Sequence, residues 1–379
     1  MPENGDFSAA DFSAADASAL FDGPAYAAME RLVSSAQVSI RLTFYLFGGP
    51  DADRMAWIMA AKAASGVSVR VLLDRAIGLG PTLPQVLWEC RRTYRLLKRL
   101  GLDVRLSDRR PLPGSPGKAP LSHHKYIIVD DKEALVGGMN VGTVFWQYHD
   151  LMLSLNGPIA GELGREFDRD WDIAGGGRLP PPAPDFDALS SFPETPLVAS
   201  GPTLARSVGT RAGRRTTEAA LLQNLRRSKV SVSVALCEMG RTALLGELIA
   251  CSERGVNVRV LLDPQITAPI GPSGLLNAGA TQTLLDAGIA VRLFTLSREF
   301  VRLHLKMAIF DGVSAVAGST NWTRGGFEWV GETDIELHGG SVIADLSAQF
   351  EYDWQRSYPA PVPTKSAHFF HDLYEKWAQ

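Results

Sequence analysis

Apolar residues run unbroken through Val71-Leu72-Leu73 and again through Val260-Leu261-Leu262, inside two segments that nearly repeat each other: ASGVSVRVLLDRAIG (64–78) and ERGVNVRVLLDPQIT (253–267). Short continuous apolar runs bounded by turn-formers predict strands buried on both faces, the kind found in parallel sheets. Alternating β-branched segments precede them, AQVSIRLTFYLF (36–47) and SKVSVSVALCEM (228–239), and these predict strands as well. Between each pair lies a stretch with helical periodicity, about Asp53 to Ser65 and about Thr242 to Arg254, each stopped by a glycine, Gly66 or Gly255. A further helix and a strand follow in both, in LLKRLGLDVRLSD (96–108) and LLDAGIAVRLFTL (284–296). The same order occurs twice, and each copy closes on a similar signature, FDRDW (167–171) and FEYDW (350–354). An internal repeat of strand–helix–strand units predicts an α/β chain of two α/β/α halves with mixed sheets, related by a pseudo-twofold.

The polar punctuation sets the expected boundaries. Residues 1–22 are acidic, with no basic residue before Arg31, and read as a flexible tail without a signal peptide. Residues 23–175 form the first repeat. Residues 176–212, which carry a glycine run and three consecutive prolines, read as the connection, since neither helix nor central strand accommodates them. Residues 213–379 form the second repeat, ending in an amphipathic helix over 368–379.

One segment breaks the apolar pattern in a way that asks for a chemical reason. LSHHKYIIVDDKEALVGGMN (121–140) places two histidines and a lysine ahead of a buried run. The arrangement returns 181 residues later in LHLKMAIFDGVSAVAGSTN (303–321). On a strand, residues i and i+2 share a face. His123 therefore points with Lys125, and His304 with Lys306, while His124 and Leu305 point away. An aspartate ends each strand, Asp130 or Asp311, and a small-residue turn follows: Gly137, Gly138 and Asn140 in one copy, Gly318, Ser319 and Asn321 in the other. Small residues there let donors approach an anion closely. Two copies at matching places in a duplicated chain imply one shared active site.

Two lysines and two asparagines suit a phosphodiester whose nonbridging oxygens gain charge in the transition state. A unit charge pair at about 4 Å contributes about 4 kcal/mol at an effective dielectric of about 20. One histidine, neutral, can attack phosphorus, and the other, protonated, can release the leaving oxygen. Zinc on the histidines is the competing reading, but a lysine beside each histidine opposes a second cation, so no metal and no cofactor is expected.

These residues resemble the signature of the phospholipase D superfamily, HxKxxxxD followed by GSxN, here complete twice apart from Gly138 in place of serine. The resemblance extends from about residue 24 to 356. It implies a phospholipase D fold with one active site between the repeats and a phosphohistidine intermediate. It assigns His123 as nucleophile and His304 as acid/base, the reverse remaining open, with Lys125, Lys306, Asn140 and Asn321 on the phosphate. It also implies a carboxylate downstream of each motif that orients a histidine ring, at the matching positions Asp150 and Glu332. Asp130, Asp311, Gly137, Gly138, Gly318 and Ser319 take structural parts, and His149 reads as structural or at the rim.

Substrates of that superfamily are phospholipids or nucleic acids. GGMNVG with HDLMLSLNGPIAGELGREFDRDW resembles the first half of bacterial cardiolipin synthases and related transphosphatidylases, whereas GSTNWTRGGFEWVGE is similar to wording in nuclease-like members. A net charge of -3 and a pI near 6.2 disfavour non-specific retention of a polyanion. The aromatic segments 143–148 and 321–329 suit contact with an acyl interface. The basic run 90–110, with eight Lys/Arg against two acids, reads as a rim for phosphate or head groups. The expectation is a phospholipase D or phosphatidyl transferase acting on phospholipid with water or an alcohol as acceptor, a metal-independent nuclease being the alternative. No apolar stretch is long enough to span a membrane. Three cysteines, Cys90, Cys237 and Cys251, form no metal or disulfide spacing and fit a reducing compartment. The expected location is cytoplasmic, with peripheral contact at the inner membrane face.

Overall fold

The computed structural model describes residues 12–75, 84–110, 121–179, 202–211, 214–264 and 272–363. The apolar runs become three parallel strands in each half: Ser39–Phe44, Ser68–Leu73 and Asp103–Leu106 in the first, Ser231–Leu236, Asn257–Leu262 and Ala290–Leu293 in the second. Parallel neighbours need long crossovers. Helices Gly49–Ala64 and Pro84–Arg99 supply them in the first half, Ala243–Glu253 and Pro272–Asp286 in the second. The first of these starts a turn earlier than the periodicity suggests, with Pro50 in its opening turn. Gly66 and Gly255 follow the helices at φ of +96° and +86°, in the left-handed region that ends helices.

Each motif then adds antiparallel strands on the other side. Lys125–Val129, Glu133–Gly137 and Leu151–Asn156 extend the first sheet; Lys306–Phe310, Ser314–Gly318 and Glu332–His338 extend the second. The closing signatures pack against the sheets through arginines that the repeat also duplicates. Arg70 and Arg105 lie over the rings of Phe167 and Trp171, and Arg259 and Arg292 repeat this with Phe350 and Trp354. Guanidinium faces on aromatic rings let the buried stems and the half-exposed charges coexist.

Two boundary expectations need correction. Residues 13–21 are a strand, not tail: Ser13–Phe21 pairs antiparallel with Leu151–Asn156 and with part of Thr203–Arg211. Its alanines and serines carry little β-propensity, so only the pairing makes it a strand. Thr203–Arg211, expected in the connection, pairs along its length with Glu332–His338. Its buried arginines disguise it, and they are tolerated because carboxylates meet them: Arg206 bonds Glu336 at 2.6 Å, and Arg211 reaches Glu166 at 2.8 Å and Asp170 at 2.7 Å. Through these two strands the expected pair of mixed sheets fuses into one sheet of 16 strands among the described residues. The helix expected over 368–379, residues 1–11 of the expected tail and 180–201 of the connection lie outside the described residues. Among the described residues no helix is long and apolar enough to cross a membrane, and all three cysteines are buried.

Candidate active site

The motif strands Lys125–Val129 and Lys306–Phe310 begin just after the histidines that contact the opposite half. His123 and Lys125 share a face, and His124 turns the other way, buried, with Nδ1 2.8 Å from the Thr333 hydroxyl. Beneath each imidazole its own lysine is pinned by the histidine's carbonyl: Lys125 Nζ donates to His123 O at 2.6 Å, Lys306 Nζ to His304 O at 2.5 Å. Both ammonium groups are buried. Each has three donors, so binding one carbonyl leaves donors for a phosphate.

The carboxylates downstream of the motifs serve the opposite half. Glu332 of the second half accepts from His123 Nδ1 at 2.9 Å, and Asp150 of the first half accepts from His304 Nδ1 at 2.6 Å. A hydrogen bond from Nδ1–H to a carboxylate fixes the tautomer and aims Nε2. The crossing ties the two motifs together, since each imidazole is held by a carboxylate from the other half.

The turn residues explain their own identities. Gly138 N donates to Leu151 O at 3.0 Å, as Ser319 N does to Thr333 O. A Cβ on Gly138 would stand 2.3 Å from Asp150 Oδ1, so this position has room for the carboxylate only because it lacks a side chain. In the second copy Ser319 fits, and its hydroxyl donates to Glu332 at 2.5 Å. Gly137 and Gly318 are equally constrained, a Cβ on either meeting backbone oxygen at 2.1 Å or 2.4 Å. Asn140 accepts from Leu46 N at 3.3 Å, and Asn321 donates to Glu238 at 3.1 Å. Asp130 and Asp311 point away from the imidazoles. Each accepts backbone N–H groups at the start of a strand, from Gln37, Val38 and Ser39 and from Lys229, Val230 and Ser231.

Burial governs the electrostatics. It pushes both motif histidines well below their usual range, His123 with help from Lys125 and His304 with help from Lys306, whose Nζ lies 2.9 Å from its Nδ1. Burial lowers Lys125 to about 7 against the attraction of Glu332. It raises Asp150 to about 6 and Glu332 well above the carboxylate range. A buried site of this kind disfavours charge until a ligand brings its own.

Asp74, Asp263, Asp22 and Asp353, all close to the site, escaped the sequence reading. Asp74 and Asp263 end the two VRVLL strands and hold the residue before each histidine, accepting from Ser122 N at 2.6 Å and Leu303 N at 2.8 Å. Their identical place in the repeat was the available signal. His149, adjacent to Asp150, is buried between Asp22 at 3.0 Å and Asp353 at 3.0 Å. Burial opposes its charge, but the two carboxylates outweigh that and raise it to about 10. Nothing in the sequence pairs these three residues. Of the aromatic segments, Trp146 is exposed and stacks on Tyr26, whereas Trp322 and Phe327 are core residues. Within the basic run Arg92 pairs with Asp53 and Arg110 with Asp108, and Lys118 lies outside the described residues.

A family profile described as "Cardiolipin synthase, PLD-like domain" matches residues 29–171 and 221–354. A probable cardiolipin synthase of Bacillus subtilis is 27% identical over 357 residues, covering 86% of this chain and 63% of its own length. Cardiolipin synthase A of Salmonella arizonae is 26% identical over 351 residues, covering 85% and 65%. The chain thus spans just under two thirds of the length of these curated relatives. The solved phosphatidylserine synthase of Haemophilus influenzae shares the fold, with a TM-score of 0.66 at 14% identity over 97% of this chain and 94% of that one.

Proposed function

The chain belongs to the PLD-like domain family described for cardiolipin synthase, and from that premise we propose that it is a metal-independent phosphatidyl transferase that exchanges the head-group alcohol of a phospholipid through a phosphohistidine. The observation that carries this reading is the crossed pairing of His123 with Glu332 and His304 with Asp150 above two buried lysines.

In the proposed first step His123 Nε2 attacks phosphorus, the P–O bond to the head-group alcohol breaks, and His304 gives that oxygen its proton. In the second, an acceptor alcohol or water loses its proton to His304 and attacks phosphorus. The P–N bond breaks, and its electron pair returns to His123. Lys125, Lys306, Asn140 and Asn321 stabilise the charge on the nonbridging oxygens. The resting site holds His304 largely neutral, so substrate must restore its proton. An anionic diester about 4 Å away contributes about 4 kcal/mol at an effective dielectric of about 20, or about three pKa units. Asp130 and Asp311 shape the strand ends and take no part in the chemistry.

We place the substrate in a membrane and the enzyme at its surface. Trp57 and Trp88 are each about three fifths exposed, on the helices Gly49–Ala64 and Pro84–Arg99, and Arg92 lies over the Trp88 ring at 5.6 Å. Exposed tryptophan beside a cation suits a lipid interface.

The test incubates the protein in EDTA with phosphatidylglycerol or phosphatidylcholine vesicles, with and without added alcohol, and identifies products by mass. New phospholipid or freed head group is expected, and loss of both in H123A. DNA or RNA cleavage without lipid turnover would overturn the reading. The two histidines are told apart with an aryl phosphodiester, whose leaving group needs no acid: H304A should retain the first step on it and H123A should not.

A further inference from the structure

The two halves duplicate what the phosphorus chemistry uses: His123 with His304, Lys125 with Lys306, Asn140 with Asn321, and behind them Asp74 with Asp263. One polar pair beside the site has no counterpart. Backbone bonds align the halves residue by residue. Val141 N donates to Leu46 O at 3.0 Å as Trp322 N donates to Glu238 O at 3.0 Å, so Glu238 stands where the first half has Leu46. The matching bonds from Ser122 N to Asp74 and from Leu303 N to Asp263 put Arg302 where the first half has Leu121.

A carboxylate and a guanidinium thus replace two leucines, and both lie on the His304 side. Glu238 accepts from the motif residue Asn321 at 3.1 Å, and Arg302 Nη2 lies 3.8 Å from its other oxygen. Arg302 sits over the Tyr148 ring at 5.8 Å, and that ring is 5.5 Å from the His304 imidazole. The two side chains keep 24% and 19% of their surface, enough for a ligand to reach them. On the other side the Tyr45 ring lies 5.0 Å from His123, beside Leu46.

A duplicated fold needs this asymmetry only if the reaction is itself asymmetric, and it is. The phosphatidyl group stays on phosphorus through both steps, while the alcohol opposite His123 leaves and is replaced. In-line displacement puts that alcohol on the side of His304, its proton partner.

We propose that Glu238 and Arg302 form the subsite for the exchanged alcohol and select a polyol of glycerol type over simple alcohols and water. Glu238 accepts a hydrogen bond from the hydroxyl that does not react, and Arg302 donates to an oxygen of the same alcohol. A site built to bond a second hydroxyl discriminates against alcohols that leave its polar groups unmet. The reacting hydroxyl forms the new P–O bond as the P–N bond breaks, and its proton passes to His304 Nε2.

The inference rests on the transferase reading, and its test separates the two. Wild type, E238Q, E238L and R302L receive phosphatidylcholine vesicles with equal concentrations of glycerol and ethanol. In a second arm phosphatidylglycerol replaces the free glycerol. Products are resolved by mass, and the ratio of glycerol-type to ethanol product is read, which is independent of how much of a variant is folded. The ratio should fall at least tenfold in E238L and R302L, and in the same direction in E238Q. A fall in the vesicle arm identifies the polyol as a lipid head group; a fall with free glycerol alone identifies it as a soluble one. A ratio unchanged in the variants in both arms, even with slower turnover, overturns the inference and leaves the transferase standing. A wild type that converts no phospholipid overturns the transferase reading and this inference with it.

Discussion

Replacing Gly138 by serine would make the first motif match the second, yet it should cripple the proposed transfer. The Cβ would stand 2.3 Å from Asp150 Oδ1, and real Cβ contacts stay beyond 3.0 Å, so the carboxylate must retreat by at least about 0.7 Å. Asp150 holds His304 at 2.6 Å and is tied to Leu151 N at 2.8 Å, so a retreat turns the ring or breaks the bond. Misplacing a reacting group by about 1 Å costs on the order of a hundredfold in rate, or about 2.7 kcal/mol of barrier. G138S should therefore lose about a hundredfold in kcat with a circular-dichroism spectrum like wild type. The second half suggests the remedy. There Ser319 coexists with the longer Glu332, donating to it at 2.5 Å while the carboxylate still reaches His123 at 2.9 Å. The double variant G138S/D150E should recover at least tenfold over G138S, a non-additivity expected of directly coupled residues. Activity of G138S within threefold of wild type would refute the steric coupling, and equal losses in the single and double variants would refute the pairing of serine with glutamate.

Other outcomes follow from the same geometry. Raised to about 10, His149 contributes stability that is complete below its ordinary value of about 6.5 and is lost as pH rises through about 10, at most about 5 kcal/mol; thermal unfolding of wild type should weaken across that window and that of H149Q should not. Because burial lowers Lys125 to about 7, kcat/KM should fall above pH 7, and calorimetric titration with tungstate at pH 8 in two buffers should record proton uptake rather than release. D130A removes an acceptor of three backbone N–H groups and should lower unfolding stability by about 2–3 kcal/mol while turnover per folded molecule persists. W57S/W88S, which strips two exposed rings, should weaken co-sedimentation with anionic vesicles at least tenfold.

The sequence made the chemistry more legible than the architecture that joins it. The repeated VRVLL strands, the glycine stops after the helices and the paired motifs all carry local signals, because burial on both faces, left-handed turns and charge on a buried strand each restrict residue choice. The seam between the halves carries none. Ser13–Phe21 is built from alanine and serine, and Thr203–Arg211 hides Arg206 and Arg211, so neither resembles a strand until its partners are known. The crossed carboxylates were visible as residues but not as partners. Reading along the chain assigns each to the motif it follows, and only the return of the chain across the sheet assigns Asp150 to His304 and Glu332 to His123.

That crossing bears on why the halves are fused by a continuous sheet rather than a mobile contact. Each half alone would hold a buried lysine, a histidine without its orienting partner and a carboxylate without its histidine. The proposed mechanism requires the seam to stay closed through both steps, and its residues are suited to that. Arg211 ties Thr203–Arg211 to Glu166 and Asp170 on the helix Pro158–Ala174, and His149 ties Asp22 of the first half to Asp353 of the second. Such pairs add little net stability over an apolar seam but penalise any other register of the two halves. Since under the proposed mechanism a displacement of about 1 Å at the imidazoles costs on the order of a hundredfold in rate, fixing the register of the halves would itself serve the transfer.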